Sequence, residues 1–193
     1  NQVGSDVIAL TGDLSDLDPV PDWVADLYGR LTAPEGVFFI LGNHDLRKSQ
    51  PEVLRESLVA RGLVSLGNGR LVREMGGCSI QWCGNEVPWS LEVPVTPDAR
   101  RCSIGLAHSP DQFRWAQQHQ LDLLLAGHMH GGQICCPGLG PVVGPSWYGV
   151  TYSQGCFRHA GTTMHVTRGA GGLFPLRIAC CPEITRLEIR CSR

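Results

Sequence analysis

Lysine is almost missing from this chain: of sixteen basic residues only Lys48 is not arginine, a bias we read first as codon usage. Charge is sparse, at 18% of residues with a net of −2, so no basic footprint for a nucleic-acid polymer exists. No run of about 18 apolar residues occurs, which excludes a transmembrane helix of ordinary length. No CxxC occurs among the nine cysteines, and their odd number excludes a closed disulfide framework. We expect reduced, mostly buried thiols and a reducing compartment. A cysteine-based metal or redox protein would rest on that count alone. No cleavable leader is visible. The chain opens at Asn1 without a Met, and its first strand pattern begins almost at once. The expectation is that the natural N-terminus, with any anchor or export signal, lies upstream, and that the protein is cytoplasmic or peripheral at the membrane.

What is present is an ordinary globular composition: 193 residues, 42% hydrophobic, enough for a single domain over 1–193. Apolar runs predict strands at Val7–Thr11 and Val37–Leu41. Shorter strands are expected at Leu63–Leu66, Leu71–Met75, Cys78–Cys83, Cys102–Ala107 and Leu121–Ala126, and later at Thr162–Thr167 and Ile184–Arg190. Helical spacing appears at Asp22–Leu31 after Pro21, at Pro51–Arg61 ahead of Gly62, and at Pro110–His119. The Pro-rich stretch Glu86–Arg101 reads as a surface excursion, and Gly131–Gly161 as irregular. Alternating strands and helices argue an α/β fold.

Four of the apolar strands end in polar loops carrying Asp13, Asn43–Asp45, His108 and His128–His130. Ligands in α/β sheets gather beyond the carboxyl ends of strands, so these loops can converge. Asp13, Asn43, His108, His128 and His130 offer oxygen and imidazole ligands without thiolate, a set suited to Mn, Fe or Zn. A carboxylate can bridge two cations. If residues 128–130 are extended, His128 and His130 share a face; in a helix they diverge. Two cations about 4 Å apart can clamp a phosphoryl group and activate a bridging water. His44 can then donate a proton to the leaving oxygen, with Asp45 holding its ring in the productive tautomer.

Each signal alone has a plainer explanation. A Gly-Asp after a strand is usually a turn, and a single His after a strand is usually structural. GNHD and GHMHGG are far more specific, and the four together in this order are not matched by chance. Asp16 either supports the Asp13 loop or, as we favour, caps the next turn. Arg168 and Arg177, in TRGAGGLFPLR, are candidate substrate-binding residues as an arginine fork for phosphate, against a structural ion pair. Trp147, Tyr148 and Phe157 are candidate walls of a substrate pocket. His119, His159 and His165 lack a motif.

The set resembles the calcineurin-like metallophosphoesterase family, from VIALTGDLSD through VFFILGNHD, LAHSPDQF and LLLAGHMHGGQI to CPEITRLEIR. The later segments resemble a bacterial subgroup, often membrane-associated, related to phosphodiesterases and to enzymes that cleave UDP-diacylglucosamine in lipid A synthesis. The resemblance implies a four-layer α/β sandwich of two mixed sheets flanked by helices. It implies that Asp13 bridges two divalent metals, that Asn43, His108 and His128 complete one site, that His130 serves the other, and that His44 is catalytic.

One element of the family pattern is absent. It begins with Asp-x-His on a first strand, and no aspartate here has a His two residues on. The resemblance therefore implies a domain lacking that strand, with one metal site incomplete. The expected activity is metal-dependent hydrolysis of a small-molecule phosphodiester or pyrophosphate, extending to a lipid-linked substrate and peripheral membrane contact in the full-length protein. The alternative is a catalytically incomplete binding module of the same fold.

Overall fold

The computed structural model describes residues 4–67, 69–88, 98, 100–172 and 176–190. A three-stranded sheet is built from β1 (Ile8–Leu10), β2 (Val37–Phe39) and β3 (Val64–Ser65), in that order and with every pair parallel. A six-stranded sheet contains β4 (Arg70–Met75), β5 (Cys78–Asn85), β6 (Cys102–Ala107), β7 (Leu123–Ala126), β10 (Gly155–His159) and β11 (Thr162–Val166). Its order is β10-β11-β7-β6-β5-β4, with the inner four strands parallel and both edge strands antiparallel to their neighbours. The pair β8 (Cys135–Cys136) and β9 (Gly140–Pro141) forms a small ribbon.

Period-two alternation sorts the buried side chains into layers. Phe38 and Ile40 face Trp82, Ile104 and Leu106 between the two sheets. Val37, Phe39 and Leu41 face the other way, toward α1 (Asp22–Tyr28) and α3 (Pro51–Val59), whose Val24, Ala25, Leu54 and Leu58 are buried there. On the far side of the larger sheet, Phe113, Trp115 and Ala116 of α4 (Phe113–Gln118) pack on Leu124, Ala126, Met164 and Val166. The outcome is the expected α/β sandwich, layered helix, sheet, sheet, helix. The sheets approach closely at Gly84, where a Cβ would stand 2.0 Å from the Leu66 carbonyl oxygen. No helix among the described residues is long and apolar enough to cross a membrane.

Three expectations need correction. Ile184–Arg190 forms no strand: β10 already closes that edge of the sheet, and Ile184 is left 84% exposed. A strand does form inside the stretch expected to be irregular, because Ala160 and Gly161 adopt positive φ and fold β10 back on β11 as a tight hairpin. Glu86 begins no surface excursion. It is fully buried, accepts the Leu41 N–H at 2.7 Å, and is gripped by both terminal nitrogens of Arg55. Most of the rest of that excursion, residues 89–97 and 99, lies outside the described residues. The thiols also divide: Cys83, Cys135 and Cys180 are buried, whereas Cys136, Cys156 and Cys181 are exposed.

Candidate metal centre

Each sheet brings two loops to one point. Asp13 follows β1 and Asn43 opens α2 (Asn43–Leu46) just past β2; His108 follows β6 and His128 lies just past β7. The crossing of the first two loops admits only glycine. Gly12 has φ of +93°, and a Cβ on Gly42 would fall 2.2 Å from Asp13 Oδ1. The loops are stitched reciprocally. Asp13 accepts the His44 N–H at 2.9 Å, while Asp45 accepts from Leu14 and Ser15 and turns back to the Gly42 N–H, as an N3 acid does in a capping box.

The hydrogen-bond partners fix the ring tautomers of two histidines. His108 Nδ1 lies 2.7 Å from the Thr11 carbonyl oxygen, and His128 Nε2 lies 2.9 Å from that of Pro145. A carbonyl can only accept, so both nitrogens carry hydrogen and the opposite nitrogen of each neutral ring presents a lone pair. Those lone pairs, on His108 Nε2 and His128 Nδ1, are 3.0 Å apart. Asn43 Oδ1 stands 2.9 Å and Asp13 Oδ2 3.2 Å from the same His108 nitrogen. Four ligand atoms thus converge on one point, an arrangement that a cation would reconcile. Asp13, His108 and His128 place ligand atoms within 4.8 Å of one another. The donor set, two imidazoles and two oxygens, fits a divalent transition metal, and the backbone carbonyls behind the rings orient them as outer partners do in metal sites.

The electrostatics point the same way. Burial draws the Asp13 carboxyl upward, but His108 and the His44 N–H outweigh it and hold the group below its ordinary range. Burial pushes His128 down to about 4. A ring that resists protonation keeps its lone pair for a metal. Linkage then sets a sign. The unfolded chain takes up this proton near the ordinary 6.5 and the folded chain only near 4. Metal-free protein is therefore expected to lose stability as pH falls through that window and to level off below it. Thermal unfolding in chelator across pH 4–7, with His128→Gln flattening the slope, checks this.

Not every expected residue takes its expected place. His44 does not rest on Asp45, whose carboxylate is spent on three backbone N–H groups. Its Nδ1 pairs at 2.8 Å with Asp16, which arrives from the Asp13 loop. Asp16 is the residue our reading missed as a partner of His44, and its place in GDLSD, one turn past Asp13, was the available signal. His130 stands outside the converging group. Residues 128–130 are not extended: His128 and His130 have φ of +68° and +49°, and the His130 ring hydrogen-bonds the Gly171 backbone. Arg168 is committed to Glu183, at 2.8 Å and 2.6 Å, and Arg177 to backbone carbonyls; neither forms a free fork for phosphate. Phe157 packs on the core beside Tyr152, while Trp147 is 91% exposed two residues from the carbonyl that holds His128.

Comparison with known proteins agrees with this geometry. Residues 1–132 match the family model described as calcineurin-like phosphoesterase. An uncharacterized metallophosphoesterase, YkuE, of Bacillus subtilis is 33% identical over 98% of this chain and 70% of its own length. The phosphodiesterase YaeI of Escherichia coli is 30% identical over 95% of this chain and 70% of its own. A Danio rerio transmembrane protein with a metallophosphoesterase domain is 27% identical over 98% of this chain but only 47% of its own. No solved structure gives a significant match. The four strand-end loops and the matched family model lead to one conclusion: the chain belongs to the calcineurin-like phosphoesterase family, whose members are metal-dependent phosphoester hydrolases.

Proposed function

We propose that this chain hydrolyses a small-molecule phosphodiester or pyrophosphate at a divalent-metal centre held by Asp13, Asn43, His108 and His128. The observation that carries the proposal is the meeting of four lone-pair donors from four strand-end loops, beside a histidine held by a carboxylate. A bound divalent cation would polarise the phosphoryl oxygens and lower the pKa of an attacking water. The chain's own residues do the rest. With Nδ1 of His44 on Asp16, Nε2 is the nitrogen that can hand a proton to the leaving oxygen. The Asp45 stitch keeps His44 and Asp13 in fixed register.

Part of the same proposal is a substrate with an apolar portion, extending to a nucleotide-lipid such as UDP-diacylglucosamine, and peripheral contact with a membrane. Residues 131–157 contain no charged side chain. That stretch exposes Leu139, Val142, Val143 and Trp147 while its Pro145 carbonyl touches His128. Apolar surface beside a metal centre supports a substrate that is not wholly polar.

Two metals are proposed, with the second served by Asp13 and His130. The His130 ring on Gly171 favours the alternative, a binding module with an incomplete second site. Hydrolysis of bis(p-nitrophenyl) phosphate, with and without Mn²⁺ and alongside metal analysis of the purified protein, separates the two. Mn²⁺-stimulated release of nitrophenol is expected. Tight metal binding without turnover across Mn²⁺, Fe²⁺ and Zn²⁺ would leave only the binding module.

A further inference from the structure

One residue past His128, after Met129 in ordinary right-handed conformation, the backbone enters a rare conformation. His130, Gly131, Gly132 and Gln133 are four consecutive residues with positive φ, between +49° and +76°. Glycine tolerates that region; His and Gln resist it, so surrounding structure must impose it. The loop's own hydrogen bonds do not suffice, because three of its carbonyls are answered from elsewhere in the chain.

Most of those answers come from residues 168–171 and 176–183. Arg177 Nη1 donates to the His130 carbonyl at 3.1 Å and to that of Cys180 at 3.4 Å. Its Nη2 donates to the carbonyls of Arg168, Gly169 and Gly171. The single S–H of Cys180 is shared between the carbonyls of His130 at 3.3 Å and Gly131 at 3.5 Å, and Cys135 Sγ reaches the same Gly131 oxygen at 3.4 Å. The Ile178 N–H donates to Gln133, the Gln133 side chain donates to Leu176, and the Cys135 N–H donates to Ile178. A Cβ on Gly131 would strike Cys180 Sγ and the Arg168 stem at 2.6 Å, so these residues lie directly on the loop.

We propose that Arg177, seconded by the Cys180 thiol, is a positioning residue: it clamps the loop that carries His128 and His130 and thereby sets the metal centre, and it makes no contact with substrate. The two terminal nitrogens of the planar guanidinium carry four N–H groups, which reach these five carbonyls by sharing a hydrogen; a lysine ammonium, with three, cannot span them. The clamp also explains why the two cysteines at its heart are buried when their sequence neighbours Cys136 and Cys181 are exposed. The role in metal binding rests on the proposed function; the clamp itself does not.

The test compares wild type with Arg177→Met, Arg177→Lys and Cys180→Ser in the purified chain. Three readouts are taken: iodoacetamide labelling of Cys135 in metal-free protein, followed peptide by peptide; the Mn²⁺ dissociation constant from calorimetry; and KM and kcat on bis(p-nitrophenyl) phosphate. Arg177→Met is expected to expose Cys135, to weaken Mn²⁺ binding by about 10- to 100-fold as lost outer partners do, and to lower kcat with KM unchanged. Arg177→Lys should fall between, and Cys180→Ser, which keeps a donor, should stay near wild type. If Arg177→Met does not fold, Arg177→Lys carries the comparison. Raised KM with unchanged Mn²⁺ affinity and protected Cys135 would make Arg177 a substrate contact and overturn the clamp. Exposed Cys135 with unchanged Mn²⁺ affinity would overturn its role at the metal. Absence of turnover in wild type would sink the hydrolase reading alone, since labelling and calorimetry need no turnover.

Discussion

His44→Ala is expected to cut hydrolysis of bis(p-nitrophenyl) phosphate by about 10²- to 10⁴-fold, the usual contribution of a positioned general acid, while Mn²⁺ still binds. The separation follows from the geometry. His44 contributes only its backbone N–H to Asp13, which alanine retains, and its ring is engaged by Asp16 outside the converging ligand set. Asp16→Asn should reproduce part of the loss, because the amide can still accept from Nδ1–H but no longer stabilises a charged ring. Its side chain is 70% exposed, so its removal should barely move the melting temperature. Steady-state kinetics on both variants, with Mn²⁺ affinity measured in parallel, decides the matter. A His44→Ala enzyme that keeps its kcat would remove the histidine from the chemistry.

Asp45→Ala should do the opposite, unfolding the protein long before its chemistry can be compared. Asp45 is fully buried and, among the described residues, accepts the Leu14, Ser15 and Gly42 N–H groups. Each buried N–H left unpaired costs about 1–3 kcal/mol, so the total is of order 5 kcal/mol. At about 2–4 °C per kcal/mol for a chain of this size, the melting temperature should drop by roughly 10–20 °C. The adjacent Tyr28, whose hydroxyl donates to the Leu14 carbonyl and whose pKa is pushed up to about 12 by burial and then by the charge of Asp45, belongs to the same support. Calorimetry on Asp45→Ala and Asp16→Ala side by side distinguishes a carboxylate that builds the loop crossing from one that serves His44. Equal, small shifts would contradict that division.

The contrast between these two aspartates shows what was readable in the chain and what was not. An apolar strand followed at once by a polar loop is a local signal, and it placed Asp13, Asn43, His108 and His128 together. The α/β class followed from the alternation of strands and helices, and the four layers from the family resemblance. Asp45 was assigned to His44 because the two are neighbours, but α2 is helical there, and consecutive helical side chains point away from each other. The true partner comes from a different loop, which only the packing of β1 against β2 brings within reach. The carbonyls of Thr11 and Pro145 that set the ring tautomers carry no side-chain signature at all. The left-handed run after His128 is neither of the two conformations, extended or helical, that the sequence leaves open there, and the residues that hold it lie some forty positions later.

The division of the proposed ligands between the two sheets has a further consequence. Asp13 and Asn43 ride on the smaller sheet, His108 and His128 on the larger, and apolar side chains fill the space between. A metal ion held by all four would act as a rivet through the sandwich, joining halves that otherwise meet through side-chain packing, the close approach at Gly84 and the hydrogen bonds of Glu86 and His108. Its binding energy would appear as resistance to the sheets parting, growing with the logarithm of free metal. Prising the sheets apart by heat or denaturant would therefore be felt first as loss of metal, and chelation as a loosening of the whole fold.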